Sequence, residues 1–195
     1  MLTTAAAALV ALATLVPANT AEEPAPSIEV VTVNGSGCAA GDADVTIDGR
    51  DFTIDYHSFL ARAGGGSSPV DLRKNCQVNI AVSVPDGYTY GLWRTTYNGY
   101  AHLRPGVTGL QRVTVYLQGS AADQTVDHPF AGPVSESWQT SYRPGTEDVL
   151  WAPCGARRNI NVNAELRVNL GSADPDRLSF LVAESSRGTV RVQRC

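Results

Sequence analysis

Several segments of the sequence alternate between apolar and polar residues with a period of two, and this pattern limits the chain to β structure. The clearest segment is 159–169, whose apolar face consists of Ile160, Val162, Ala164, Leu166 and Val168. The polar positions of the same segment are Asn159, Asn161, Asn163, Glu165 and Arg167. Segments 77–84 and 110–118 repeat the alternation. Each is typical of an antiparallel strand with one buried face and one solvated face.

Turn-forming sequences separate these segments. Asp48-Gly49 is a favoured two-residue hairpin loop, and folding the chain there places Val45 opposite Phe52 and Ala43 opposite Ile54 on one apolar face. Further strand candidates include 148–152 and 178–184, whereas 59–63 is compatible with a short helical turn. Since helical periodicity is almost absent, we expect an all-β fold, an antiparallel β-sandwich of about ten strands.

The first residues predict export. Residues 5–16 form an unbroken run of Ala, Leu, Val and Thr, which suits a signal peptide but is shorter than the roughly 20 residues of a membrane span. We therefore expect a signal peptide at 1–21, a flexible Glu- and Pro-containing linker at 22–27 and a single β-sandwich domain at 28–195. No later apolar run suits a membrane anchor, and the protein is expected to be secreted and extracellular.

Four cysteines, an even number in a chain predicted to be exported, favour two disulfides. They are Cys38, Cys76, Cys154 and Cys195. Of the three possible connectivities we favour Cys38–Cys76 with Cys154–Cys195, because each bridge then closes a loop of about 40 residues within one half of the chain. No pair has Cys-x-x-Cys spacing and no His lies beside a Cys, so no metal site is expected at the cysteines.

Charge and motifs exclude several classes of partner. The formal net charge of −4 argues against nucleic acid, which requires a basic surface. The glycine-rich loop 64–68 lacks the Lys and Thr of a phosphate-binding loop, and we expect no cofactor. An acidic cluster at the first hairpin leaves a weak calcium site open, although its spacing is not that of an EF-hand and Asp is common in turns. Its members are Asp42, Asp44, Asp48 and Asp51.

No catalytic motif is recognisable. Asp55 and His57 share a strand face and would need a serine from elsewhere to form a triad, but the sequence has no Gly-x-Ser-x-Gly elbow. Glycoside hydrolysis needs two carboxyl groups across a cleft, and Glu165 is the carboxylate to test. Its simpler interpretation is a salt-bridged Glu on a solvated strand face, between Asn163 and Arg167.

The aromatic residues are the most informative functional feature. One strand candidate, 88–100, contains Tyr88, Tyr90, Trp93, Tyr97 and Tyr100. The first, second and last of these share one parity and the other two share the opposite parity, so one set should fill the core and the other should face outward. An outward set adjoining Asn161, Asn163 and Glu165 would form an aromatic and amide platform for sugar rings or for a partner protein. The alternative is that these aromatic residues simply pack within the strand.

Several motifs resemble a known family. They are NGSGC at 34–38, FTIDYHSFLA at 52–61, LRKNC at 72–76, GYA at 99–101, WAPCG at 151–155, the Asn-rich strand 160–168 and the terminal Arg-Cys. Together they resemble the secreted bacterial and fungal proteins grouped as domain of unknown function 4360. The resemblance spans nearly the whole chain after the apolar leader and implies export, two disulfides and an all-β fold. It implies no catalytic residues.

The sequence thus favours a non-enzymatic secreted binding module for a cell-surface polysaccharide or a partner protein. Two alternatives stay open. One is an extracellular hydrolase acting on a polymer such as a glycan through Glu165 or His57, and the other is a component of a secreted protein assembly.

Overall fold

A computed structural model describes residues 23–195. The predicted signal peptide, 1–21, lies outside the described residues, and so does the first residue of the predicted linker. Residues 23–26 carry no strand. Arg50 donates hydrogen bonds to the Glu23 carboxylate at 3.1 Å and to the backbone carbonyl oxygens of Glu23 and Pro24 at 3.0 and 3.2 Å.

The described residues form eleven strands in two antiparallel sheets, together with two short 3₁₀ turns at Pro69–Asp71 and Thr146–Asp148. In spatial order, sheet A consists of β1 (Ser27–Asn34), β5 (Arg73–Ser83), β10 (Ile160–Asn169), β7 (Thr108–Leu117) and β8 (Asp123–Ala131). Sheet B consists of β2 (Ala43–Asp48), β3 (Asp51–Tyr56), β11 (Ser179–Arg194), β6 (Tyr88–Leu103) and β9 (Val134–Tyr142), and β4 (Leu60–Ala63) also pairs with β11. The predicted all-β sandwich is confirmed.

The core lies between the two sheets and follows the predicted alternation. Every apolar residue predicted to face inward in the 159–169 segment is buried, with at most 3% of its surface exposed. Sheet B contributes the facing layer, which includes Ile54, Tyr97, Ala101, Leu181, Val190 and Val192. Gln111 of β7 accepts a hydrogen bond of 3.0 Å from the buried hydroxyl of Thr140 on β9, and this bond joins the two sheets through the core.

The first hairpin forms with a register two residues away from the predicted one. Asp48 pairs with Asp51, so that Val45 lies opposite Ile54 and the loop is Gly49-Arg50. The loop shifts because the first residue of a tight hairpin loop needs a positive φ, which glycine adopts most readily. Gly49 takes that position with a φ of 59°. The apolar faces still coincide, but Val45 stays 40% exposed because β2 is the edge strand of sheet B.

Two local predictions are wrong. Residues 59–63 contain strand β4 rather than a helical turn, because Leu60–Ala63 pairs with Val182–Ser179 of β11. Segment 148–152 forms no full strand and contributes only a single bridge between Trp151 and Gly91. Strands β8 and β9 had not been identified as strands from the sequence, since their exposed positions outnumber their buried ones.

Both predicted disulfides are present. Cys38 and Cys76, whose Cα atoms lie 5.4 Å apart, are fully buried and connect the segment after β1 to β5. Cys154 and Cys195, whose Cα atoms lie 5.9 Å apart, are exposed and attach the end of β11 to the loop before β10. The first bridge therefore belongs to the core and the second lies at the surface.

Acid sensitivity should arise in part at Asp71, at the end of the first 3₁₀ turn. Its carboxylate accepts hydrogen bonds from the Ser68 backbone N–H (3.2 Å) and from Arg62 (3.1 Å), and it lies 3.2 Å from the Lys74 ammonium. The Ser68 N–H first, then Lys74 and Arg62, hold the pKa of Asp71 at about 2, below its ordinary 3.8. A lowered folded-state pKa stabilises the protein above the ordinary value, and that stabilisation is lost as the pH falls through about 2.

Urea unfolding of the wild type and Asp71→Asn over a pH series tests this expectation. The difference in unfolding free energy should be constant above about pH 5 and should shrink as the pH falls from about 4 to about 2. A difference that does not change over this range would contradict the assignment.

Candidate functional site

A bulge at Trp93 decides which aromatic residues of β6 face outward. Leu92 pairs with Val190 and Arg94 pairs with Thr189, so Trp93 has no partner in β11 and the alternation inverts there. Tyr90 before the bulge and Tyr97 after it both lie in the core, at 3% and 2% exposure. The division of these aromatic residues by a single parity therefore does not hold.

The two buried tyrosines have structural environments. The Tyr90 hydroxyl donates to the Arg158 carbonyl and accepts from the Arg158 backbone N–H, both at 2.8 Å. Burial raises the pKa of Tyr97 well above its ordinary value, so it stays neutral. Tyr88 lies at the start of β6, half-buried, with the Arg194 guanidinium 5.9 Å from its ring centre.

The outward side chains of β6, β9 and β11 form one continuous surface, here named the outer strip. It consists of Arg94, Thr96, Asn98, Tyr100 and His102 on β6, Ser135, Ser137, Gln139 and Ser141 on β9, and Phe180, Val182, Ser185, Arg187, Thr189 and Arg191 on β11. Trp93 joins it at the bulge. Apart from Val182, these side chains are aromatic, hydroxyl, amide or cationic, so the strip offers ring faces beside many hydrogen-bonding groups.

Three half-buried rings lie together at one end of the outer strip and are here named the aromatic cluster: Tyr100, His102 and Phe180. The Phe180 centroid is 6.4 Å from that of Tyr100 and 5.5 Å from that of His102, with interplanar angles of only 31° and 32°. Ser135 on β9 lies 3.0 Å from the Tyr100 hydroxyl and 3.1 Å from His102 Nδ1. The Tyr100 and His102 rings thus lie close to the Phe180 ring at a moderate tilt, and one hydroxyl lies beside the polar edges of both.

Sequence reasoning included Tyr100 but missed His102, Phe180 and Ser135. Phe180 lies about 80 positions from its neighbours in β6 and reaches them only because β11 pairs with β6. The one local signal is the alternation in 178–184, which places Phe180 opposite in parity to the buried Leu181.

The other end of the outer strip is aromatic and basic. The guanidinium carbon of Arg191 lies 4.6 Å from the ring centre of Trp93, and that of Arg143 lies 6.0 Å away. These distances are those of cation–π interactions. Trp93 therefore holds two guanidinium groups beside it.

Asn161, Asn163 and Glu165 lie on the opposite side of the molecule, on the outer face of sheet A. The structure therefore does not bring them together with the aromatic residues in a single platform. Their face is also less solvated than the alternation predicted, since Asn161 and Glu165 are only 4% and 6% exposed. The reason is that β10 is the central strand of sheet A, and long side chains of β5 and β7 cover it.

Asn159, Asn161 and Glu165 on the polar face of β10 are bonded to other side chains of the described residues. Asn79 donates a hydrogen bond of 2.8 Å to the Asn161 side-chain oxygen, and Asn159 donates one of 2.6 Å to the Asn79 side-chain oxygen. Arg73 Nε donates 2.6 Å to Glu165, which also contacts Arg167. The carboxylate of Glu165 thus forms ion pairs, as in the simpler interpretation of this residue, but on a covered face rather than a solvated one.

The other candidate groups are also engaged. His57 lies 3.1 Å from Asp44 and 3.9 Å from Asp42, and Ser58 donates to Asp42. His102 and Ser135 are within hydrogen-bonding distance, but within residues 23–195 no carboxylate pairs with His102. They therefore do not complete a triad of the kind that activates a serine.

At the first hairpin, Asp51 accepts hydrogen bonds from Arg187 (2.5 Å) and Thr189 (2.6 Å). Partial burial raises its pKa, but the hydrogen bonds from Thr189 and Arg187, together with the charges of Arg187 and Arg94, outweigh burial and leave the pKa below its ordinary value. In the described part of the chain, no group of three or more His, Cys, Asp or Glu side chains is placed to hold a metal ion.

Fold and surface together define a disulfide-bonded β-sandwich that presents an aromatic and polar sheet face to solvent. The chain belongs to the family described as "Domain of unknown function (DUF4360)", whose model matches residues 24–194. It is 29% identical over 140 residues to an "Uncharacterized secreted protein" of Arthroderma benhamiae, a match covering 71% of this chain and 57% of that protein. The chain thus spans little more than half the length of that relative.

The predicted export is confirmed by this secreted relative and by the two disulfides. The protein is secreted. No helix within residues 23–195 is long and apolar enough to cross a membrane.

Solved structures give weaker matches. TmCBM61 in complex with β-1,4-galactotriose matches at a TM-score of 0.33 and 12% identity, covering 84% of this chain and 88% of that one. A structure titled "CBM4 structure and function" matches at a TM-score of 0.22 and 15% identity, with 78% of each chain covered. Similarity at this level establishes neither a shared fold nor a shared ligand.

Proposed function

We propose that the protein is a non-enzymatic secreted binding module that holds a polysaccharide on its outer strip. The observation that carries the proposal is the aromatic cluster, in which the half-buried rings of Tyr100, His102 and Phe180 lie beside one another on a solvent-facing sheet. Sugar rings present apolar C–H faces that pack on aromatic rings, and their hydroxyl groups need hydrogen-bonding partners at the rim.

The surroundings of the aromatic cluster favour a sugar over a protein partner. Its neighbours on β6 and β9 are short hydroxyl and amide side chains, among them Ser135, Ser137, Asn98 and Gln139. A protein-binding hot spot is usually surrounded by a broader apolar contact area. Among the exposed apolar side chains of the described residues, Val31 (47%) lies on sheet A, whereas Leu178 (39%) lies two residues before Phe180.

A hydrolase is the less favoured alternative. Glu165 is on the opposite face and is held by Arg73 and Arg167, so its carboxylate is not free to transfer a proton to a glycosidic oxygen. The Ser135–His102 pair is the remaining nucleophile and base, and it has no carboxylate partner in residues 23–195.

Replacement of Phe180 by alanine should weaken polysaccharide binding about tenfold or more, the size of effect seen for central aromatic contacts. The matched control is Tyr116→Ala, which removes a half-buried aromatic side chain from the outer face of sheet A. Wild type and both variants are titrated against a panel of cellulose, chitin, β-glucan, xylan, galactan and pectin. Thermal melts establish that all three proteins are folded.

Retention of the wild type by any of these polysaccharides, with loss in Phe180→Ala alone, supports the proposal. Equal loss in both variants, or retention of the wild type by no polysaccharide, neutral or acidic, would overturn it. Release of soluble sugar from the panel would instead identify a hydrolase.

A further inference from the structure

We propose that the polysaccharide is anionic, and that Arg94, Arg143 and Arg191 around Trp93 bind its carboxylate or sulfate groups. This inference rests on the proposed function, since it names the class of polysaccharide that occupies the same outer strip. The three arginines and Trp93 are here named the basic cluster.

The basic cluster is assembled from three strands or their ends. Thr95 and Tyr142 form the last pair between β6 and β9, so Arg94 and Arg143 are the next residues on the two chain segments. Arg191 lies two residues beyond Thr189, the partner of Arg94 on β11. Arg191 and Arg143 both approach the Trp93 ring, at 4.6 and 6.0 Å. Two guanidinium groups that are 48 positions apart in sequence, those of Arg143 and Arg191, therefore converge on one indole, and Arg94 is the residue next to that indole in β6.

None of these arginines makes an ion pair within residues 23–195. The charge of Arg94 helps to lower the pKa of the Asp51 carboxylate. That carboxylate already accepts hydrogen bonds from Arg187 and Thr189. The exposed carboxylate of Glu184 lies at the β11 bulge beside Asn98, roughly 13 Å from Arg94 along β6. Like charges on adjacent strands destabilise a sheet, and an anionic ligand would offset that cost.

Sheet A shows the contrasting arrangement. Its outer face also carries three arginines, but Arg73 and Arg167 contact Glu165 and Arg112 donates two 2.6 Å hydrogen bonds to Asp127. Those guanidinium groups are all paired with carboxylates of the protein itself. The basic cluster on sheet B is not, although the chain as a whole is acidic at −4.

Stacking on Trp93 makes the guanidinium groups suitable for anions. A planar guanidinium that lies over an indole keeps its N–H donors along its edge, where they can form paired hydrogen bonds with a carboxylate or sulfate. Within the described residues, Arg94, Arg143 and Arg191 donate no side-chain hydrogen bond to the protein. The donors of Arg143 and Arg191 are therefore oriented by the indole, and the donors of all three arginines are available.

The distance between the two clusters indicates a polymer. Trp93 and Tyr100 are seven positions apart in β6, which corresponds to roughly 23 Å of extended strand. The intervening outward side chains, Thr96 and Asn98, are polar. A ligand that reaches both the aromatic cluster and the basic cluster must therefore be a chain of several sugar units.

The test uses polygalacturonate as a carboxylated probe, dextran sulfate as a sulfated probe and dextran as a neutral probe. Arg143→Gln and Arg191→Gln should each weaken binding to the anionic probe by about tenfold, the scale of one charge-assisted contact. Raising NaCl from about 0.1 M to about 1 M should weaken wild-type binding, because the screening length falls from roughly 10 to 3 Å. The control is Arg177→Gln, which removes the same charge from an exposed arginine in the loop before β11, outside the basic cluster.

The outcomes separate this inference from the proposed function. Binding of either anionic probe, weakened in both cluster variants and unchanged in Arg177→Gln, supports an acidic polysaccharide, and the preferred probe distinguishes carboxylate from sulfate. Binding of a neutral polysaccharide that depends on Phe180 but not on Arg143 or Arg191 overturns the inference and leaves the proposed function standing. Binding of none of the probes or panel polysaccharides overturns both.

Discussion

Joint replacement of Cys38 and Cys76 by alanine should lower the free energy of unfolding by about 4 kcal/mol. The bridge spans 38 residues, and opening it returns to the unfolded chain the conformational freedom that the closed loop removes. Both side chains are fully buried, so the double variant also loses packing within the core. Urea unfolding of the wild type and the Cys38→Ala/Cys76→Ala variant, followed by intrinsic fluorescence, measures the difference.

The Cys38–Cys76 disulfide lies where the chain passes from sheet A towards sheet B. The Gly37 N–H donates a hydrogen bond of 2.9 Å to the Asn75 backbone carbonyl, and the Ser36 hydroxyl donates one of 2.9 Å to the Asn75 side-chain oxygen. These bonds fix the segment after β1 beside β5. That segment leads directly into β2, and the bridge thereby connects sheet A to the start of sheet B.

The matched comparison is Cys154→Ala/Cys195→Ala. Its loop of 41 residues gives nearly the same entropic contribution, but both cysteines are exposed and little packing is lost. Removal of the buried disulfide should therefore lower the free energy of unfolding more than removal of the surface disulfide. A mild reductant without denaturant should open Cys154–Cys195 first. A larger loss in the surface variant, or simultaneous reduction of both bridges, would contradict this reasoning.

Gly99→Ala should be the most damaging small substitution in sheet B, with a loss of about 3 kcal/mol or more. Gly99 lies in β6 between Ala183 of β11 and Trp138 of β9. A Cβ atom there would overlap the Val182 carbonyl oxygen and would lie 2.6 Å from a ring carbon of Trp138. Backbone cannot yield as a flexible side-chain tip can, so β6 and β11 would have to separate at the centre of the sheet.

Thr96→Ala is the control for this substitution, because Thr96 is on the same strand but faces outward on the outer strip. Its loss should stay within about 0.5 kcal/mol, as for other surface positions. Urea unfolding of the wild type and the two variants measures both losses of unfolding free energy. A Gly99→Ala protein as stable as Thr96→Ala would show that the strands do not approach each other as closely as described.

Much of the fold followed from local patterns. The alternation in 159–169 identified β10 and its buried face, and the predictions of an all-β sandwich and of two disulfides were confirmed. Such patterns succeed because successive side chains of a strand point to opposite faces, a rule that depends only on backbone geometry. The same rule fails where a bulge interrupts it. At Trp93 one extra residue inverts the alternation, and Tyr90 and Tyr100 face opposite ways despite equal parity.

The candidate site was only partly predictable. Tyr100 and Trp93 were singled out from the sequence and do lie on the outer strip, whereas Phe180, His102 and the converging arginines were not. Asn161 and Glu165 were expected on a solvated face and are buried instead, because covering side chains come from strands distant in sequence. Composition and spacing do not indicate which strand lies beside which.

By itself, the sequence determined the strand character of the chain, the inward face of its regular strands and the class of secreted, disulfide-bonded protein to which it belongs. The tertiary structure alone decided that β6 lies between β11 and β9 while β10 lies in the other sheet. That order places the aromatic cluster and the Asn-rich strand on opposite sides of the molecule. The physical reason is that alternation is a property of neighbouring residues, whereas strand order depends on how two whole sheets bury their apolar faces against each other.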